Sequence, residues 1–139
     1  MKSFSATTTI ARPPDAIWSV LTDAAGYAEW AVGIHRLEGQ ITEGGTLKLF
    51  TASQPKQSMT LKVSGFDAPK SLTFSGGLPF GLFRGDRTFT LASQSNGKTQ
   101  FTVCEVFSGP LEPWLGRMIP DLTSSFEAFA AGLKERCER

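Results

Sequence analysis

The sequence predicts an α+β fold in which a strongly curved, seven-stranded antiparallel sheet wraps one long C-terminal helix. Three observations carry this expectation. From Ile34 to Ser108, turn-forming residues recur about every ten residues, the spacing of an antiparallel meander rather than of strand–helix–strand units. Within those segments apolar and polar side chains alternate, as they do in a sheet with one wet face. Near the C-terminus, Leu122, Phe126, Phe129, Ala130 and Leu133 repeat at the spacing of one helix face, which supplies the cover for the dry side of the sheet.

Each element follows from local chemistry. Residues 3–11 place Phe4, Ala6, Thr8 and Ile10 on one face and Ser5, Thr7 and Thr9 on the other, a half-buried strand. Pro13-Pro14-Asp15 puts proline in a first helical turn and a carboxylate at its positive end, ahead of Ile17, Trp18, Val20 and Leu21. A short helix therefore runs to about Thr22, and residues 24–30 make a second helical turn that Gly33 ends. Six strands follow at 34–42, 46–52, 57–66, 70–76, 84–94 and 98–108. Their separators are Glu43-Gly44-Gly45, Gln54-Pro55-Lys56, Asp67-Ala68-Pro69, a long glycine-rich loop and Ser95-Asn96-Gly97. Met59, Leu61 and Val63 oppose Thr60, Lys62 and Ser64, while Leu72 and Phe74 oppose Ser71, Thr73 and Ser75. Phe101, Val103 and Phe107 oppose Gln100, Thr102 and Cys104. Leu111 to Ile119 also reads as helical, but Pro120 would clash with the carbonyl of Gly116 in a straight helix, so a kink is expected there. Asp121 at the start of the last helix and Lys134, Arg136 and Arg139 near its end match the helix dipole.

Composition bounds the function. The 139 residues show no internal repeat or low-complexity tract and read as a single domain, 1–139. Fourteen basic against thirteen acidic residues give a net charge of +1, too little field to hold a phosphate backbone, so nucleic acid is not expected as a partner. No apolar run approaches a bilayer span and Met1 to Thr7 holds no apolar signal core, so a soluble, cytoplasmic protein without integral membrane contact is expected. Two cysteines and one histidine fit neither a disulfide framework nor a common metal-ligand set; no metal and no cofactor are expected. Eleven Phe and three Trp against one Tyr supply large apolar area with few hydroxyls to satisfy.

The strand phases also select polar residues. If Phe101, Val103 and Phe107 face inward, Glu105 faces inward with them and needs a partner in apolar surroundings. A three-residue Ser95-Asn96-Gly97 loop pairs Gln94 with Lys98, Leu91 with Phe101, Phe89 with Val103 and Arg87 with Glu105, which supplies the counter-charge. His35 shares its face with Leu37 and Ile41 and is expected to tend inward too. The three groups either orient a ligand's polar end or have plainer roles, Arg87 and Glu105 as a cross-strand ion pair that braces the sheet and His35 as a half-exposed side chain at a strand start. The loop from Gly76 to Phe83 mixes three glycines with four large apolar residues and reads as a lid opposed by Trp30, Pro113, Trp114 and Met118, or as the closed end of an ordinary core. Cys104, on the wet face, and Cys137, in a terminal helical turn, have no base nearby in sequence and do not read as nucleophiles.

Pro13 to Asp23, Tyr27-Ala28-Glu29-Trp30, Gly81 to Phe89 and Glu105-Val106-Phe107-Ser108-Gly109 resemble the START-like (SRPBCC) superfamily with its helix-grip fold. The bacterial polyketide cyclase/dehydrase-like branch is the most similar, and the resemblance spans the whole chain. It departs where many members continue Trp-Asn-Pro and this chain has Trp30-Ala31-Val32, and where many carry histidine in place of Arg87. Arginine cannot serve as a general acid or base at ordinary pH. A sheet of this kind leaves a cavity between itself and the helix. The residues expected to line it are Trp30, His35, Met59, Leu61, Phe74, Phe80, Phe83, Arg87, Phe89, Phe101, Val103, Glu105, Phe107, Trp114, Met118, Leu122 and Phe126. The function expected is a binding or carrier domain for a small hydrophobic molecule: a lipid, a polyketide-like aromatic or an isoprenoid. Two alternatives stand beside it: a cyclase or dehydratase with Glu105 or His35 as base and Arg87 stabilising an enolate, and a co-chaperone-like interaction module using the outer sheet face. No particular protein partner is indicated.

Overall fold

The computed structural model describes residues 2–139. Strand β1 (Lys2–Ile10) leads into helix α1 (Pro14–Leu21), a 3₁₀ turn and the single helical turn α2 (Tyr27–Trp30). Six strands follow: β2 (Ile34–Gly39), β3 (Thr46–Thr51), β4 (Gln54–Asp67), β5 (Ser71–Gly77), β6 (Arg84–Ser93) and β7 (Thr99–Ser108). The chain closes with the short α3 (Glu112–Leu115), another 3₁₀ turn and α4 (Thr123–Glu138). The seven strands form one antiparallel sheet in the order β1-β7-β6-β5-β4-β3-β2, so six strands are a simple meander and only β1 joins from outside it.

The alternation read from the sequence sets the two faces. Ala6 and Ile10 of β1, Leu72 and Phe74 of β5, Phe89 and Leu91 of β6, and Phe101, Val103 and Phe107 of β7 are buried on the concave side. There they meet Phe126, Phe129, Ala130 and Leu133 of α4. The rings of Phe89, Phe101 and Phe129 form a triangle with centroids 5.6–6.3 Å apart. Each such burial contributes roughly 1.5–3 kcal/mol, so this aromatic layer fixes α4 on the sheet far more firmly than its exposed ion pairs do. The outer face is polar, with hydroxyl ladders such as Thr73–Thr88 at 3.0 Å.

Three boundaries differ from expectation. The β3–β4 turn is Ala52-Ser53 rather than Gln54-Pro55-Lys56, because Thr51 pairs with Gln54 and the next pair is Phe50 with Ser58. Pro55, Lys56 and Gln57 thus form a bulge, where proline's missing N–H costs the ladder nothing. Strand β2 stops at Gly39, short of residue 42. Upstream of α4 the chain is broken, not kinked: Ile119 is extended (φ −83°, ψ 122°), as the residue before a proline prefers. Lys2 Nζ satisfies this break by donating to the carbonyls of Gly116 (3.1 Å) and Ile119 (2.8 Å). Asp121 Oδ1 accepts the Thr123 N–H at 2.9 Å, which opens α4 and holds the Asp121 carboxyl below its ordinary range.

Helix α4 also touches α2 closely. A Cβ on Gly132 would lie 2.5 Å from the Trp30 carbonyl oxygen, so only glycine permits this approach. Arg136 reaches Glu29 at 2.9 Å beside it.

Candidate functional site

The site grows from the β6–β7 hairpin. Gly97 takes the left-handed conformation (φ 81°), the Gln94 N–H donates to the Lys98 carbonyl at 2.9 Å, and the register sets Arg87 opposite Glu105. That is the register read from the loop length, with Leu91 on Phe101 and Phe89 on Val103. Arg87 Nε donates to Glu105 Oε1 at 2.7 Å, and the side chains are only 28% and 14% exposed. The guanidinium lies 4.7 Å from the Phe126 ring centroid, a cation–π contact that seats it against α4. Gly85 makes room for the carboxylate: a Cβ there would stand 2.8 Å from Glu105 Oε2 and 3.1 Å from Phe107.

Around this pair lies a cavity of about 170 Å³ between the sheet and α4. Strands β6 and β7 contribute Gly85, Arg87, Phe89, Glu105 and Phe107; β4 and β5 contribute Met59, Leu61, Phe74, Gly76 and Gly77. Phe83 closes one side, stacked on Phe107 at 5.8 Å with planes 9° apart. Met59, 55% exposed, stands at the rim. The opposite wall holds Tyr27, Ile34, Leu37, Leu49 and Phe129. The Tyr27 hydroxyl donates to the Leu21 carbonyl, and burial pushes its phenol well above the ordinary range, with the Arg87 charge opposing. Among the described residues, the only ionisable groups in the lining are Tyr27, Arg87 and Glu105. Among the described residues, no group of three or more His, Cys, Asp or Glu side chains is placed to hold a metal ion.

Of the residues expected to line the cavity, the structure brings together Met59, Leu61, Phe74, Phe83, Arg87, Phe89, Glu105 and Phe107. His35 is not with them. The β2–β3 register shifts between Ile34 and Arg36, and this bulge leaves Ile34 and Leu37 facing inward while His35 is exposed. His35 is therefore absent from the wall that holds Glu105 and Arg87. Phe101 and Val103 are buried in the core rather than at the cavity wall. Trp30 packs into that core too, 4.7 Å from Tyr27 and 5.1 Å from Phe129 by ring centroids, and is not opposed to the loop. Phe126 lies behind Arg87 and Leu122 against the core edge, neither reaching the cavity. The loop is divided: its ends, Gly76, Gly77 and Phe83, line the cavity, while its tip stands off it. Phe80 is 98% exposed, on a left-handed backbone (φ 61°), and Trp114 and Met118 are exposed as well.

Residues the sequence reading left out of the lining are Tyr27, Ile34, Leu37, Leu49, Phe129 and the three glycines. Phe129 carried a signal, since it stands on the apolar stripe of α4. Leu49 and Leu37 lie on strands whose phase was obscured by bulges at their ends.

Residues 1–138 match the family described as polyketide cyclase/dehydrase and lipid transport. The chain belongs to that family. Its START-like fold is shared with solved structures of low identity. A START superfamily protein from Mycobacterium smegmatis aligns at a TM-score of 0.70, 18% identical, over 98% of this chain and 97% of that one. The Zhui aromatase/cyclase of Streptomyces sp. R1128 aligns at 0.72, 16% identical, over 99% and 94%. A hypothetical protein from Helicobacter pylori aligns at 0.77, 12% identical, over 99% and 88%. No curated protein matches the chain. Within this family, two described features are compatible with work on an apolar molecule: the aromatic wall and the single ion pair set into it. No helix among the described residues is long and apolar enough to cross a membrane.

Proposed function

We propose that this family member binds and carries a small hydrophobic molecule in the cavity between the sheet and α4. One observation supports this reading above the others: an apolar cavity of about 170 Å³ whose only charged groups, Arg87 and Glu105, are paired to each other. Apolar walls supply affinity, and a single polar pair supplies orientation. A cyclase or dehydratase needs a base that is free to take a proton. Glu105 keeps one oxygen free among the described residues but would have to act alone: exposed His35 is not in the lining and the Tyr27 hydroxyl is committed to the Leu21 carbonyl, so the carrier reading has the better support. A co-chaperone-type role would draw on the outer sheet face, where Thr7 pairs with Thr102 and Thr73 with Thr88.

Native mass spectrometry, compared with the mass after denaturation, tests the proposal. A mass increment seen only under native conditions is expected, and Leu49→Trp, which fills the cavity, removes it. An increment that survives Leu49→Trp places the bound molecule elsewhere and overturns the reading. So does an empty protein that takes up neither toluene nor palmitate on incubation.

A further inference from the structure

We infer that the cavity selects an uncharged molecule of about one ring, bearing a single hydroxyl or carbonyl group, over both anions and long acyl chains. This inference rests on the cavity being the binding site. It names what the cavity accepts.

Size comes first. An apolar cavity of about 150 Å³ is filled by benzene, and this one, at about 170 Å³, has room for a ring with one or two substituent atoms. A long acyl chain would have to leave most of its length outside, beyond the exposed rim at Met59, and forgo the burial that drives its binding.

Charge comes second. Arg87 uses only Nε on Glu105, so its terminal guanidinium nitrogens, which have no acceptor among the described residues, remain as donors. Glu105 Oε2 likewise has no donor among them, so the pair presents one donor edge and one acceptor atom to a ligand. A phenol hydroxyl can accept from Arg87 and donate to Glu105, and a carbonyl can accept from Arg87. A carboxylate meets a different balance. Arg87 and Glu105 cancel, and no other charged side chain lines the cavity, so a bound anion would leave one uncompensated negative charge in apolar surroundings. Glu105 is thus a specificity-determining residue, and it acts by already occupying the arginine.

Four probes of known chemistry test this, titrated into isotopically labelled protein at pH 7 and followed by NMR shifts of cavity residues: p-cresol, toluene, benzoate and palmitate. At that pH the phenol is neutral and the carboxylate ionised. The expected order is p-cresol first, toluene weaker by at least about tenfold for want of the hydrogen bonds to Arg87 and Glu105, and benzoate weaker than toluene. Glu105→Gln, which frees the Arg87 charge, reverses the order of benzoate and p-cresol. Benzoate equal to or tighter than p-cresol in the unaltered protein overturns the charge argument. Palmitate tighter than p-cresol overturns the size argument and leaves the carrier function standing. Failure of all four probes overturns both the selectivity and the carrier function. The comparison in the unaltered protein decides by itself should Glu105→Gln not fold.

Discussion

Removing one member of the Arg87–Glu105 pair tests how much of the site's geometry is held by charge. Breaking a fully buried pair costs roughly 3–5 kcal/mol, because the survivor is left uncompensated, whereas exposed pairs contribute about 0–1 kcal/mol. With exposures of 14% and 28%, this pair lies between those limits, nearer the buried one. Arg87→Met strands the less exposed partner, the Glu105 carboxylate, and removes the cation from the Phe126 ring, so a loss of about 2–3 kcal/mol is expected. Glu105→Gln leaves Arg87 stacked on Phe126 with more access to water, and a loss of about 1–2 kcal/mol is expected. Arg87→Met with Glu105→Gln strands no charge, so the double variant loses less than the two singles together, with a coupling of about 2 kcal/mol. Urea unfolding of the four proteins at pH 7 measures the cycle. At roughly 3–5 °C per kcal/mol for a domain of this size, melting temperature reads it independently. Effects that add to within about 0.5 kcal/mol would refute the idea that the two side chains hold each other in place.

Other expectations are more local. Gly132→Ala, which in an exposed helix would stabilise by up to about 1 kcal/mol, should destabilise by roughly 1–3 kcal/mol here, because its Cβ meets the Trp30 carbonyl. The sign of the change in denaturant midpoint is the test. Tyr27→Phe leaves the Leu21 carbonyl without its donor and should cost about 1–2 kcal/mol by the same measurement. Burial raises the Cys137 thiol to about 11 from an ordinary 9.0, so its contribution is complete below pH 9 and is lost as the pH rises towards 11, when the unfolded chain releases the proton first. Cys137→Ala should therefore flatten the decline in stability over that interval, and titration of the native protein with a thiol reagent should leave Cys137 unmodified until unfolding. Phe80→Ser should leave stability within about 0.5 kcal/mol of the parent, since Phe80 is almost wholly exposed; a large loss would mean that its ring packs against something.

Most of the framework was readable from one dimension because it depends on alternation and turn chemistry, which are local. The Arg87–Glu105 contact, eighteen residues apart, followed from the length of one loop and the strand period alone. The aromatic stripe of α4 was equally plain, and with it the covered face of the sheet. What escaped has a common physical origin. A one-residue slip turns every following side chain to the other face, and the β2 bulge at Ile34 and Arg36 produces such a slip without a glycine or proline to announce it. The inward reading of His35 fails for that reason, and the half-exposed one is the nearer. The cavity boundary was also hidden, since Phe89 and Phe101 obey the same alternation although only Phe89 reaches the void. Which phenylalanines fill space and which surround it is decided by packing in three dimensions, not by period. Pro120 signalled a disruption, but the group that meets the carbonyls freed by the break, Lys2 Nζ, is more than a hundred residues away in sequence and left no local trace.

The position of β1 has a consequence for how the chain reaches this state. Both elements that bury it, β7 and α4, lie at the other end of the sequence, whereas the pairings among β2 to β7 join only sequence neighbours. During synthesis at roughly 5–20 residues per second, β1 emerges first and waits about 5–20 s before Thr99 to Ser108 exist to pair with it. The meander can assemble by successive hairpins in that interval, whereas docking β1 requires a loop closure across all of it. Until then Phe4, Ala6 and Ile10 travel as an unpaired apolar strand. The alternating Ser5, Thr7 and Thr9 keep half of that waiting segment hydrated, and so reduce its tendency to pair with another nascent chain.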